Sequence, residues 1–281
     1  MVYYEILYIN PVYPTNPTLP NMHIHSLRCF SSRPGTGNPA LVIEDKEQDP
    51  DARQALARAR DTTCVFIDVG SDGALSVDYY YPHKRSPLCL HATLAVAAVL
   101  FARDPHAGAI AVRTSVEGQH LELVRGGEEY FVRLSAQPVA ARDVGADVAA
   151  ELLGVPAASL ATPPRVASVG SPKLLVKVAD TDALYGLAPD LARIAAWGKE
   201  AGVNGIYAWC RRDDGTFEGR NFNHLDPRLE DSATGVAAGA LTALLGLGIR
   251  LRQGRATGGD CLIRTRKEGA AILVGGAVET I

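Results

Sequence analysis

The chain has 281 residues, 47% hydrophobic and 21% charged, an ordinary globular composition with room for one large or two medium domains. Lysine and arginine number 28 against 31 aspartates and glutamates, a formal net charge of −3, which offers no basic footprint for nucleic acid. No apolar run is long enough for a membrane span and no signal peptide is evident; five scattered cysteines read as reduced thiols, so a cytoplasmic protein is expected.

Residues 1–22 read as an extension, interrupted at Pro11, Pro14, Pro17 and Pro20, with Met22 as an alternative start. Strands are expected over 23–30 and 40–44, joined by a loop rich in Gly and Pro. Asp49 is placed to cap a short helix whose apolar face carries Ala52, Ala55, Leu56 and Ala59. Strands over 63–69 and 74–81 follow, the first β-branched and apolar, the second alternating. A nearly all-apolar helix spans 91–103. Strands over 110–116, 120–124 and 129–134 then form an antiparallel meander with Glu-Gly and Gly-Gly turns. Residues 136–149 are the expected link between halves. Beyond them come a helix over 148–153 ending at Gly154, a strand within 165–178, and two helical pieces in 182–200 split by Pro189. A hairpin over 203–211 and 216–222, a second apolar helix over 233–245 closed by Gly246, and strands over 261–265 and 271–278 complete the chain.

The order of motifs repeats. Gly37-Asn38-Pro39 precedes Leu88-Cys89-Leu90-His91-Ala92-Thr93 and an apolar helix; Gly170-Ser171-Pro172 precedes Glu230-Asp231-Ser232-Ala233-Thr234-Gly235 and another. Two matches in the same order point to an internal duplication. A helix that is apolar all round must be buried on every side. The economical fold is α+β, with two pseudo-symmetric lobes over 23–138 and 139–281. Each is a curved, mostly antiparallel sheet wrapped around a central apolar helix, with terminal strands free to cross between them. The two helix N-termini would face a common cleft, where free N–H groups and the positive dipole end favour an anion. Asp231 is then either a helix cap, as Ser232 also is, or an acid that carries a proton beside that anion. Cys89 faces it from the other helix, where an N-terminus lowers a thiol pKa; the alternative is buried packing. His91 is a hydrogen-bonding or acid–base residue, or a structural cap. Glu230, Asp61, His83 and Arg85 are lesser candidates. No Cys-x-x-Cys, His-Glu-x-x-His, Walker A or Rossmann fingerprint is present, and the seven histidines lack ligand spacing, so no metal is expected.

Taken together, Gly37-Asn-Pro-Ala40, Tyr81-Pro82, Leu88-Cys-Leu-His-Ala-Thr-Leu94, Ser168-Val-Gly-Ser-Pro172, Arg220-x-Phe222, Glu230-Asp-Ser-Ala-Thr-Gly235 and Val274-Gly-Gly276 resemble the PhzF-like family of phenazine-biosynthesis isomerases. That family has the diaminopimelate-epimerase fold, and the resemblance covers about residues 23–281. It implies an active site between two lobes, a small-molecule substrate, no cofactor and a homodimer. It assigns Asp231 and His91 to catalysis and places Cys89 where racemase cousins keep a catalytic cysteine. Asn38, Thr62, Leu90, Ser171, Thr234, Gly235, Val236 and His224 fall at substrate-binding positions. The departures are specific. Thr62 stands where the family has its acid–base glutamate, Leu90 for a glycine, Val236 for a serine and His224 for a proline. Threonine is no base near neutral pH, so a substrate other than the phenazine precursor is expected. The expected function is a double-bond shift by proton transfer in a small unsaturated cyclic carboxylic or amino acid, in antibiotic or other secondary metabolism. The alternatives are a racemase or epimerase using Cys89 and Asp231, a non-catalytic binding protein, and an interaction role for residues 1–21.

Overall fold

Strand and helix boundaries follow the punctuation of the chain in the computed structural model, which describes residues 22–44, 49–139, 144–222 and 230–281. The expected extension over 1–21 lies outside the described residues. The first elements are β1 (His23–Cys29), β2 (Asn38–Glu44), α1 (Pro50–Arg60), β3 (Thr63–Val69), β4 (Leu75–Tyr81) and β5 (Lys84–Ser86). Then come α2 (Leu90–Arg103), β6 (Ala109–Thr114), β7 (His120–Gly126), β8 (Glu129–Ser135) and α3 (Ala146–Leu153). The later part contains β9 (Arg165–Ala167), β10 (Lys173–Lys177), α4 (Thr181–Tyr185), α5 (Leu191–Ala201), β11 (Ile206–Arg211) and β12 (Phe217–Phe222). It ends with β13 (Glu230–Asp231), α6 (Gly235–Leu245), β14 (Arg250–Gln253), β15 (Cys261–Glu268) and β16 (Ala271–Thr280).

The result is a mixed α+β fold built on one continuous sheet. β1, β2, β3, β4, β6, β7, β8 and β16 are hydrogen-bonded in that order, and β16 also pairs with β1, which closes these strands into a barrel. The remaining strands continue from β16 through β15, β14, β12, β11 and β10 to β9. The order of pairings recurs. β1–β2 and β9–β10 are antiparallel; β2–β3 and β10–β11 are parallel; β3–β4 and β11–β12 are antiparallel. β4–β6 and β12–β14 are parallel, and β5 flanks β4 as β13 flanks β12.

α2 packs inside the barrel against β1, β2, β3 and β8. α6 packs against β9, β10, β15 and β16. Both helices are buried along most of their length and share one apolar cluster, as their sequences require. A second cluster under α3, α4 and α5 takes the opposite sheet face, with Leu174, Val176, Ile206, Ala208 and Phe222. Each Gly-x-Pro turn enters its strand through a glycine with positive φ, +107° at Gly37 and +140° at Gly170.

Two expectations change. α1 buries Arg53 and Ala57, while Ala55 and Ala59 are exposed. Arg53 is pulled inward by Asp68 (2.6 Å) and Asp78 (3.2 Å), and its guanidinium lies over the Phe66 ring. α6 starts at Gly235 rather than at residue 233, because Glu230–Asp231 pairs with β12 as a strand and the chain turns afterwards.

Candidate active site

α2 and α6 begin alike. Their N-cap residues, Cys89 and Thr234, are non-helical, and neither side chain caps its own helix. The two starts touch: a Cβ on Gly235 would lie 3.0 Å from Leu90 Cβ and 3.3 Å from Phe30 Cζ. Leu90 thus fills the space that a family glycine would leave, while Gly235 permits the approach.

Asp231 sits beside this junction and is not the cap. Its Oδ2 accepts the Thr234 hydroxyl at 2.6 Å and its Oδ1 accepts the Ala233 N–H at 3.4 Å. Gln253 supports the turn. Its Nε2 donates to the Asp231 carbonyl (2.7 Å) and to Thr234 Oγ1 (3.1 Å), and its Oε1 accepts from Thr234 N–H (3.2 Å) and Tyr207 hydroxyl (3.0 Å). Burial raises the Asp231 pKa above the ordinary carboxylate value, against the Thr234 and Ala233 hydrogen bonds and the charge of Lys173. Such a carboxylate is suited to accept and return a proton.

Cys89 and His91 face the same space from α2. Cys89 is 3% exposed and His91 6%; Sγ and Nδ1 are 3.2 Å apart. Burial depresses His91 to about 4, so the ring is neutral at pH 7. Cys89 differs from the expectation of a lowered pKa. Burial and the charge of Asp231 push it up to about 12, against the pull of the Tyr81 hydroxyl and the Ala92 and His91 amides. The helix start is present, but loss of water outweighs it. Asp231 also acts on Tyr81 and on Cys261, which places these groups around one centre.

The other expected residues divide. Thr234, Gly235, Val236 and Leu90 are buried at the helix junction. Ser171 is buried in its turn, and its hydroxyl accepts Asn204 Nδ2 at 2.7 Å. Asn38 begins β2, and Thr62 directly precedes its parallel neighbour β3; no hydrogen bond among the described residues joins either to Asp231. His224 lies outside the described residues. Asp61 is the exposed, left-handed C-cap of α1 rather than a strand residue, so it is turned out of the site by the helix end. Arg85 is held by Asp78 at 2.8 and 2.9 Å, and Glu230 by Arg220 at 2.9 Å; each is already paired. Lys173 and Asn221 were not among the expected residues. Lys173 opens β10 fully buried, and the Asp231 charge reaches it. Asn221 is the register partner of Asp231. A lysine directly before Leu-Leu-Val was the available signal. No cluster of three His, Cys, Asp or Glu side chains among the described residues is placed to hold a metal.

The sequence matches the family described as "Phenazine biosynthesis-like protein" (PhzC-PhzF) over residues 27–277. An "Uncharacterized isomerase" of Deinococcus radiodurans is 34% identical over 253 residues, covering 86% of this chain and 82% of that protein. Among solved structures, a "Predicted Epimerase PA4716" from Pseudomonas aeruginosa superposes with a TM-score of 0.74 at 26% identity, over 92% of this chain and 96% of that one. A PhzF-family protein of Bacillus anthracis superposes with a TM-score of 0.77 at 18% identity, over 93% and 97%. Fold and relatives define the chain as an enzyme of the isomerase and epimerase class. Within that class it belongs to the phenazine biosynthesis-like, PhzC-PhzF family.

Proposed function

We propose that the protein is a cofactor-independent isomerase that shifts a double bond by moving a proton within a small unsaturated cyclic carboxylic or amino acid. The proton is carried by Asp231, between two pseudo-symmetric lobes over 23–138 and 139–281. The observation that carries this reading is a half-buried carboxylate of raised pKa where the N-termini of two buried helices meet. The recurring order of strand pairings supports the two lobes. In this reading the helix N-termini hold the substrate carboxylate and stabilise the enolate-like charge that forms when a C–H proton leaves. Neutral His91 hydrogen-bonds the anion without adding charge. Leu90 and Val236 give the pocket apolar walls that favour a compact ring, such as an unsaturated proline. A place in secondary metabolism and a homodimer follow from the family kinship.

Cys89 opposite Asp231 favours a second reading, an epimerase in which the thiol is the other acid. A pKa of about 12 makes it a poor base at neutral pH and supports the isomerase. The two separate in heavy water with 3,4-dehydroproline and a cyclohexadiene carboxylate, read by mass and NMR. The isomerase places one deuterium at the vinylogous carbon with a moved double bond, and Cys89→Ala retains most of the rate. Deuterium at Cα with loss of chirality, abolished by Cys89→Ala, establishes the epimerase instead.

A further inference from the structure

The register of four strands, β10 to β13, sets a row of residues on one face. Leu175 pairs with Tyr207, Tyr207 with Asn221, and Asn221 with Asp231. Cross-strand partners share a face, as do residues two apart on one strand, so Lys173 joins this row two positions before Leu175. It is the face of the shared apolar cluster, away from α3, α4 and α5. Lys173 is fully buried. Its ammonium donates to the Asn204 carbonyl and forms no ion pair among the described residues. Asn204 is itself fixed by Ser171 in the Gly-x-Pro turn, so the amine is held in place. Asn221 is also fully buried, and neither Nδ2 nor Oδ1 has a hydrogen-bond partner among the described residues. An orphaned buried amide is costly to leave unpaired, and a carboxamide with both ends free beside a carboxylate fits a site that binds a polar ligand.

We propose that Lys173 is the second proton carrier of the site, acting as acid to the Asp231 base from the same sheet face, and that Asn221 hydrogen-bonds the substrate between them. This rests on Asp231 acting as a proton carrier. The step balances without a further reactant. The Asp231 carboxylate takes the α-proton of a β,γ-unsaturated ring acid, breaking C–H and forming O–H. The electron pair moves into the conjugated system. The Lys173 ammonium gives a proton to the γ-carbon, breaking N–H and forming C–H, and the double bond ends between the α- and β-carbons. The Asp231 proton then returns to the Lys173 amine. Lys173 in this way supplies the partner that Thr62 cannot. Burial lowers its pKa to about 7, held up in part by Asp231, so the ammonium is a competent acid at neutral pH. Around Asp231 the other titrating or charged groups are Glu230, Cys89, Tyr81, Tyr207 and Cys261.

The test uses 3,4-dehydroproline in heavy water. For the wild type, kcat declines as pH rises through about 7, as the ammonium is lost. Lys173→Met and Lys173→Arg each lose about 100-fold or more in kcat, KM changes far less, and the residual rate no longer has the basic limb. Methylammonium added to Lys173→Ala restores part of the rate. Asn221→Leu mainly raises KM. Retention of kcat by Lys173→Met within about fivefold, or a basic limb that persists in Lys173→Arg, overturns the assignment. If Asp231→Asn is inactive while Lys173→Met is active, Lys173 alone fails; if both are active, the Asp231 reading fails. Should the wild type leave this probe unchanged, NMR of lysine labelled at Cε decides. One resonance titrating near neutrality, lost in Lys173→Met and shifted in Asp231→Asn, upholds the proposal. A Lys173 that titrates in the ordinary lysine range overturns it.

Discussion

His91 shows how burial turns a titratable residue into a neutral hydrogen-bonding group. Its pKa of about 4 lies below the ordinary 6.5, so between those values the folded state binds fewer protons than the unfolded state. Stability therefore rises with pH across this window and is lost as pH falls through it. The linked loss is about 3 kcal/mol on acidification from pH 6.5 to 4. Denaturant unfolding at a series of pH values checks this: His91→Gln flattens the profile in that range. Asp231 runs the other way. Its folded pKa is raised, so the fold carries an energetic cost at neutral pH that is relieved as pH falls through the folded value. At this scale the candidates Asp231, Cys89 and His91 stood out because each lies in a motif before an apolar helix. Lys173 and Asn221 did not, because strand pairing puts Asn221 beside Asp231 and Lys173 on the same sheet face, and register is set by pairings far apart in sequence.

At the scale of elements, the site depends on two helix N-termini in contact. Gly235→Ala puts a methyl 3.0 Å from Leu90 Cβ, a closeness that neighbours must relieve, and costs about 1–3 kcal/mol as overpacking. Leu90→Ala alone leaves a cavity and costs about 2–5 kcal/mol. Combined, Leu90→Ala removes the Cδ1 that the added methyl would meet at 3.1 Å while the contact with Cβ stays, and the double mutant is more stable than the sum of the singles by about 1 kcal/mol. A double-mutant cycle in urea measures this coupling; strict additivity would show that the helix starts do not touch. The two apolar helices and most long strands were legible from periodicity and from Gly punctuation. β5 and β13 are three and two residues long, too short to display a period. The buried face of α1 was misplaced because Arg53 enters the interior on ion pairs, which an apolar pattern does not reveal.

At the scale of the molecule, β16 is the shared piece. It pairs with β8, β1 and β15, and the main apolar cluster spans α2 and α6. Both halves should therefore unfold together. Trp197 and Trp209 both lie in the later half, so tryptophan fluorescence reports that half, while hydrogen exchange of β1–β4 amides reports the barrel. Coincident urea transitions are expected; separate midpoints would show that β16 does not couple them. The repeated motifs were legible, and strand pairings recur in the same order; terminal strands crossing between the halves were also expected, but the closure of a barrel by the last strand was not, because it joins residues 27–29 to 278–280. No helix among the described residues is long and apolar enough to cross a membrane, and all five cysteines are free and buried.

The central claim is that Asp231 carries the proton. Its most direct test is solvent deuterium incorporation into 3,4-dehydroproline by wild type and Asp231→Asn, with thermal stability measured on the same samples at pH 7. With Asp231 as the proton carrier, the variant loses about 100-fold or more of the exchange rate while its Tm rises, because a half-buried carboxylate of raised pKa has been replaced by a neutral amide. Exchange by Asp231→Asn within about fivefold of wild type, with the fold intact, contradicts it.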